Sequence, residues 1–217
     1  MSARHASATR RMSKREPLPQ SGKREQNKAE NRAAILTAAH EVFLREGYDS
    51  VTVRDIIRQT ELAAGTFYNY FPDKESVFRA LVQARMVELN GRLHEVRSRA
   101  ATLGEFLHDA YLTVFRSIAE DPQFYQLVLR NEPIVRDMYQ DSVFGISMAA
   151  LQADIRDAMA RGLIPLTDVE YLAAAFYGVG YEMGRSLVRR EHRDPERAAR
   201  LATALLLRGV DALHGVG

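Results

Sequence analysis

Hydrophobic positions recur at helical spacing along nearly the whole chain, and no stretch alternates as a half-buried strand would. Between residues 29 and 46, Ile35, Ala39, Val42 and Phe43 fall at i, i+4, i+7 and i+8, which gives one buried face. Gly47 follows, where a glycine commonly ends a helix. Thr52 and Asp55 form a Thr-x-x-Asp start for a second helix, whose inner face is Val53, Ile56 and Ile57. A turn at Thr60-Glu61-Leu62, with Leu62 plugging the small core, leads to a third helix over residues 63–70. Phe67 and Phe71, one turn apart, face inward, and Pro72 stops the helix.

The remainder reads as helix, with a chemical signal at most boundaries. A long fourth helix runs over residues 74–99, with Asp73 as its cap. A fifth starts at Thr102 and Glu105, and a sixth at Asp121-Pro122. Pro133 separates it from a long seventh ending at Arg161-Gly162. Thr167 and Glu170 open an eighth, and Asp194-Pro195 a ninth that ends near Leu213. The expectation is an all-α chain of about nine helices. Its units are a disordered arm at 1–28, a three-helix helix-turn-helix at 29–73, and a helical domain at 74–217.

The last two helices are apolar on more than one side. Leu172, Ala175, Phe176, Val179, Met183 and Leu187 form one stripe. Ala173, Tyr177, Gly180, Gly184 and Val188 form a second, and Leu205, Leu206 and Leu207 surround the ninth helix. Such helices need burial on two sides, which a two-fold partner supplies. A homodimer through these helices is expected, with Gly180 and Gly184 allowing close approach.

Charge adds one asymmetry. Residues 1–28 carry eight Lys or Arg against two Glu, a net of +6 in a chain whose total is +2. A basic arm suits a polyanion. Residues 29–86 carry seven basic and eight acidic side chains, net −1, so nonspecific affinity for a polyanion leans on the arm. Cysteine is absent and the six histidines have no ligand spacing, so no metal and no cofactor is expected. No metalloprotease, phosphate-loop or nucleophile-elbow pattern stands in the chain, which argues against an enzyme. With no apolar run of membrane-spanning length, the expectation is a soluble cytoplasmic protein without a membrane partner.

The pattern Gly47-Tyr48, Thr52-Val53-Arg54-Asp55-Ile56, Gly65-Thr66-Phe67-Tyr68-Asn69-Tyr70-Phe71 and Lys74-Glu75 resembles the DNA-binding domain of TetR-family transcriptional regulators. The resemblance covers about residues 30–80. It implies a homodimeric, ligand-responsive regulator, usually a repressor, whose third helices enter successive major grooves of a palindromic operator on double-stranded DNA. A two-fold dimer presents its reading helices about 34–36 Å apart. Two departures stand in the turn: Thr60-Glu61 replaces a frequent Ala-Gly, and Ala63 replaces a frequent Ser or Thr cap.

Matched position and chemistry assign the DNA contacts. Thr52, Arg54 and Lys74 go to phosphate, Tyr68 chiefly to phosphate, and Thr66 to phosphate or a thymine methyl. Asn69 suits a base edge or phosphate, and Ala63 and Ala64 permit close approach. The family also implies an effector pocket in the later helices. The candidate lining is Phe106, Tyr111, Phe115, Phe124 and Tyr125, then Phe144, Met148, Phe176 and Tyr177. His108, Arg130, Asn131 and Tyr181 could orient a ligand, expected to be a small apolar or amphipathic molecule. The alternatives are a constitutive DNA-binding regulator with a filled C-terminal core, an adaptor that binds no DNA, and an enzyme.

Overall fold

Gly47 sits at φ +80° and its N–H donates to the Phe43 carbonyl at 2.9 Å, so the first helix ends where a left-handed residue was expected. This computed structural model describes residues 20–139 and 147–210. Among the described residues the chain is all helical, and α1 (Gln20–Glu46), α2 (Val53–Arg58) and α3 (Ala64–Tyr68) make a small head. Ile35, Ala39, Val42, Phe43, Ile56, Phe67 and Phe71 are buried there, with Leu62 half-buried against them.

Helix α1 starts at Gln20, nine residues before the expected position, so residues 20–28 are helix and not a disordered arm. The packed half nucleates, and Lys, Arg, Glu and Gln between residues 23 and 28 then extend the helix cheaply toward its exposed end. Gln26 also donates to Glu30 at 3.0 Å one turn on. Residues 1–19 of the expected arm lie outside the described residues.

The body comprises α4 (Lys74–Arg99), α5 (Leu103–Glu120), α6 (Pro122–Arg130), α7 (Glu132–Tyr139), α8 (Met148–Ala160), α9 (Val169–Arg189) and α10 (Pro195–Val210). Side-chain caps explain the starts: Asp73 accepts from the Ser76 N–H, Thr102 from Glu105, Asp121 from Phe124 and Ser147 from Ala150. The α9 cap is Asp168, not Thr167, since its carboxylate takes the amides of Glu170 and Tyr171. The expected seventh helix is two helices, which makes ten among the described residues. Pro133 does not separate elements; it occupies the first turn of α7, where its missing N–H leaves no bond unmade.

Helix α5 runs through the middle of the body and packs against α4, α6, α9 and α10. The head meets the body along α1, α4 and α6, where Asp121 Oδ2 lies 3.3 Å from His40 Nε2 and accepts from Arg85 Nη2 at 3.1 Å. The α9 stripes are distributed differently from the expectation. Ala173, Gly180, Gly184 and Val188 are buried inside the protomer. A Cβ on Gly180 would sit 3.1 Å from the Tyr111 ring, so that glycine admits α5, not a partner. The apolar groups left on the surface of α9 and α10 are Tyr171, Ala174, Ala175, Leu201, Ala204 and Leu205. No helix among the described residues is long and apolar enough to cross a membrane.

Candidate nucleic-acid interface

Buried Phe67 and Phe71 anchor α3 and so fix which of its side chains face outward. Ala63, Ala64, Gly65, Tyr68 and Asn69 are all exposed, and Tyr68 is 56% exposed despite its aromatic ring. The ring stands edge-on to Phe67 with centroids 5.5 Å apart, which sets its direction. Thr66 is half-buried, so only part of it is available to a ligand. Nothing lies within 4 Å of where a Cβ on Gly65 would be. The missing side chain there serves no packing need within the protomer.

The turn before α3 is held by a side chain. Thr60 Oγ1 donates to the Ile57 carbonyl at 2.9 Å and accepts from the Leu62 N–H at 3.3 Å. That clasp is the physical answer to the absence of glycine at Glu61. Ala63 contributes no side-chain cap, and α3 starts on backbone bonds from Thr66 and Phe67 to the Ala63 carbonyl.

At the start of α2, the Thr52 N–H and hydroxyl both donate to Asp55 Oδ2, at 2.9 and 2.6 Å. These bonds, the hydroxyl's first, hold the Asp55 carboxyl below its ordinary range. The Thr52 hydroxyl proton is therefore engaged, whereas Arg54 beside it is exposed.

Lys74, expected at a phosphate, is engaged within the protomer. Its ammonium donates to the carbonyls of Tyr48, Asp49 and Val51 at 2.9, 3.2 and 3.0 Å, and lies 4.5 Å from the centre of the Tyr48 ring. An ammonium has three protons, and three carbonyls take them. In this arrangement Lys74 ties down the α1–α2 loop and has no proton left for a phosphate.

Sequence reasoning counted Arg24 and Lys28 in the basic arm but missed that they form one helical stripe with Arg32. Arg24, Lys28 and Arg32 follow at i, i+4 and i+8 and are exposed. Arg32 lies 5.5 Å over the Phe71 ring, and Asn31 Nδ2 donates to the Tyr70 hydroxyl at 3.3 Å. This stripe therefore starts beside the end of α3 and leads away from it. Its spacing was visible, but the disordered reading of residues 1–28 hid it.

The expected effector residues divide. Phe106, Tyr111, Phe176 and Tyr177 line one cavity with Leu107, Ala110, Val114, Leu151, Gly180 and Arg97. The space is about 30 Å³, room for one or two waters. Phe115, Phe124 and Tyr125 are core instead: Phe115 stacks on Tyr111, Phe124 meets Tyr125 edge-on, and the Tyr125 hydroxyl shares a bond with Ser117 at 2.7 Å. Met148 and Tyr181 are half-buried outside the lining, with Tyr181 stacked on Tyr177. Phe144 lies outside the described residues.

Three polar expectations are corrected. His108 turns away from the cavity to Asp109, at 3.0 Å. Arg130 and Asn131 lie at the far end of α6, beside an open groove against the α1–α2 loop. The Asn131 amide is engaged there with the Leu127 carbonyl at 2.8 Å.

Arg97 is the charged residue of the cavity lining, only 7% exposed. Its Nη1 donates to Asp154 Oδ2 at 3.2 Å, while Asp154 Oδ1 is 2.7 Å from His94 Nδ1. Burial pulls the guanidinium below its ordinary pKa, and Asp154 offsets part of that. Arg97 Nε and the Tyr177 hydroxyl are both buried with no hydrogen-bond partner. The register carries a signal for Arg97, because Val82, Met86, Leu89 and Leu93 on the buried face of α4 lead to it at the next turn.

Against known proteins, residues 35–81 match the family model described as bacterial regulatory proteins, tetR family. The Bacillus subtilis (strain 168) HTH-type transcriptional regulator YvdT, itself described as uncharacterized, is 36% identical over 64 residues, 28% of this chain and 33% of the relative. The chain spans about a third of the length of the curated relatives it matches. A TetR-family transcriptional regulator from Pectobacterium atrosepticum superposes with a TM-score of 0.64 at 25% identity, covering 85% of this chain and 96% of that one. Bacillus subtilis FadR, a transcriptional regulator in complex with stearoyl-CoA, superposes with a TM-score of 0.68 at 23% identity, covering 82% and 98%.

Proposed function

We propose, on the premise that residues 35–81 are a DNA-binding domain of the tetR family, that the chain is a transcriptional regulator that binds a palindromic operator as a homodimer. In this reading it is a repressor released by a small amphipathic ligand. The observation that carries it is the outward row of α3: Ala63, Ala64, Gly65, Tyr68 and Asn69 exposed above buried Phe67 and Phe71. Two alanines and a glycine bring the backbone close to base edges, and the phenol and amide supply hydrogen bonds. Arg54 adds a cation on one side, and the α1 stripe of Arg24, Lys28 and Arg32 follows the phosphates on the other.

The exposed apolar faces of α9 and α10 support the dimer. Tyr171 is 80% exposed, and Leu201 and Leu205 lie on the neighbouring helix. A patch of that kind marks an interaction site. With two copies related by a two-fold axis, the four helices bury each other's apolar sides.

A second reading has its own observation. A cavity of about 30 Å³ is close to a filled core, which favours a constitutive regulator with no effector. Against it stand the two buried polar atoms in that cavity with no partner.

The test is selection of genomic fragments from the source organism by the purified protein, beside a Tyr68→Ala, Asn69→Ala variant. Lys74 stays unchanged in that variant because its substitution would disturb the fold. Enrichment of an inverted repeat by the wild type alone is the expected outcome. Equal enrichment by both proteins would remove α3 as the reader.

A further inference from the structure

We infer that the cavity between α4, α5, α8 and α9 is the closed form of a site for a small amphipathic carboxylate, its head held by Arg97 Nε and the Tyr177 hydroxyl. The effector role of this site rests on the regulator reading; the binding itself does not. Four observations lead here.

The first is the unmade bonds. Arg97 and Tyr177 line the same cavity, and Arg97 Nε and the Tyr177 hydroxyl are buried with no partner. A buried polar group left unpaired is destabilising, and native structures retain few of them. Arginine offers donors and no acceptor, so whatever completes Nε, a water in the closed form or a ligand in its place, presents an acceptor atom. The tyrosine hydroxyl can donate to that same head.

The second is charge. The one carboxylate on Arg97 among the described residues is Asp154, and it is shared. Asp154 Oδ1 lies nearer to His94, at 2.7 Å, than Oδ2 lies to Arg97, at 3.2 Å. A second carboxylate at Nε shares the guanidinium without displacing the first, because Nε and Nη1 lie on different edges of the plane. An ammonium head meets the opposite field and finds no acceptor on Arg97.

The third is the walls. Phe106, Leu107, Val114, Leu151 and Phe176 are buried and apolar, so the body of the ligand is hydrocarbon.

The fourth is the way in. Tyr111 is pinned by its bond to the Phe176 carbonyl at 2.8 Å and by stacking on Phe115. Tyr177 is half-buried, unpinned at its hydroxyl and held by stacking on Tyr181. Its ring is the wall that can turn outward to enlarge the present space while its hydroxyl follows the head group.

Isothermal titration of the full-length protein, free of DNA, tests this with three probes of equal chain length: decanoate, 1-decanol and decyltrimethylammonium. Decanoate is expected to bind saturably, decanol about ten- to a hundredfold more weakly, the range set by a hydrogen bond to a charged group, and the ammonium not at all. Arg97→Gln removes the discrimination between decanoate and decanol. Tyr177→Phe weakens decanoate several-fold and leaves thermal stability unchanged or raised, since it deletes a hydroxyl with no partner. That second variant keeps the test decisive if Arg97→Gln does not fold. Equal affinity for decanoate and decanol, undiminished decanoate binding by both variants, or no binding of any probe overturns the site. Because no DNA is present, each of these results leaves the operator-binding reading to its own experiment.

Discussion

The two ends of α4 hold a cation in opposite ways. At the first residue, the Lys74 ammonium is saturated by three carbonyls and a ring face. In the last turn, the Arg97 guanidinium is more deeply buried, carries one carboxylate on one edge and leaves Nε unbonded. Coordination number, more than burial or charge, separates a cation that holds a fold together from one held in reserve for a partner. Position alone suggests the reverse assignment, since Lys74 sits against the α1–α2 loop of the head and Arg97 inside the body.

Four variants would break or sharpen that contrast. Asp154→Ala leaves Arg97 buried with no counter-charge and is expected to cost about 3–5 kcal/mol in a urea unfolding experiment. Decanoate should then raise the melting temperature of the variant more than that of the wild type, because the guanidinium gains its missing carboxylate. Lys74→Met leaves three carbonyls without their donor and should cost about 1–2 kcal/mol, with operator affinity falling alongside. Lost affinity at unchanged stability would instead make Lys74 a phosphate contact, and the contrast would fail.

Gly65→Ala comes next. The added methyl meets nothing in the protomer and should stabilise α3 by about 0.5–1 kcal/mol. Operator affinity in a fluorescence-anisotropy titration should nevertheless fall, because the methyl points at the groove. The smallest effect is electrostatic: Arg24→Ala with Lys28→Ala should lower the slope of log affinity against log salt by roughly 2 and leave sequence preference intact.

The sequence was most legible where one residue type has one physical use. Gly47 at a left-handed position, Asp73 and Asp121 at helix starts, and Pro122 in a first turn all stand where their chemistry predicts. Reading failed where a residue has several uses and the choice depends on distant neighbours. Lysine at the start of α4 could serve phosphate or carbonyl, and only the path of the α1–α2 loop decides between them. Gly180 could admit a partner helix or a ring, and the Tyr111 side chain, 69 positions away in the chain, settles that. Arg97 was passed over because an arginine on a helix is usually solvated, although its register on the buried face of α4 pointed inward.

Helix α4 is an unbroken rod of 26 residues from Lys74 to Arg99. At 1.5 Å per residue, Arg97 and Lys74 lie about 34 Å apart along its axis. Under the proposed function such a rod would serve as a lever. A rotation of about 5° about its Arg97 end, too small to disturb the contacts beside the cavity by more than a few tenths of an ångström, sweeps the Lys74 end through about 3 Å. That travel is the length of a hydrogen bond. Since Lys74 is tied by three bonds to the loop that leads into α2, the loop must travel with it. Saturation of the ammonium thus makes the joint stiff, and in the regulator reading a stiff joint would let a small angle at one end of α4 arrive as a displacement of α2 and α3 at the other.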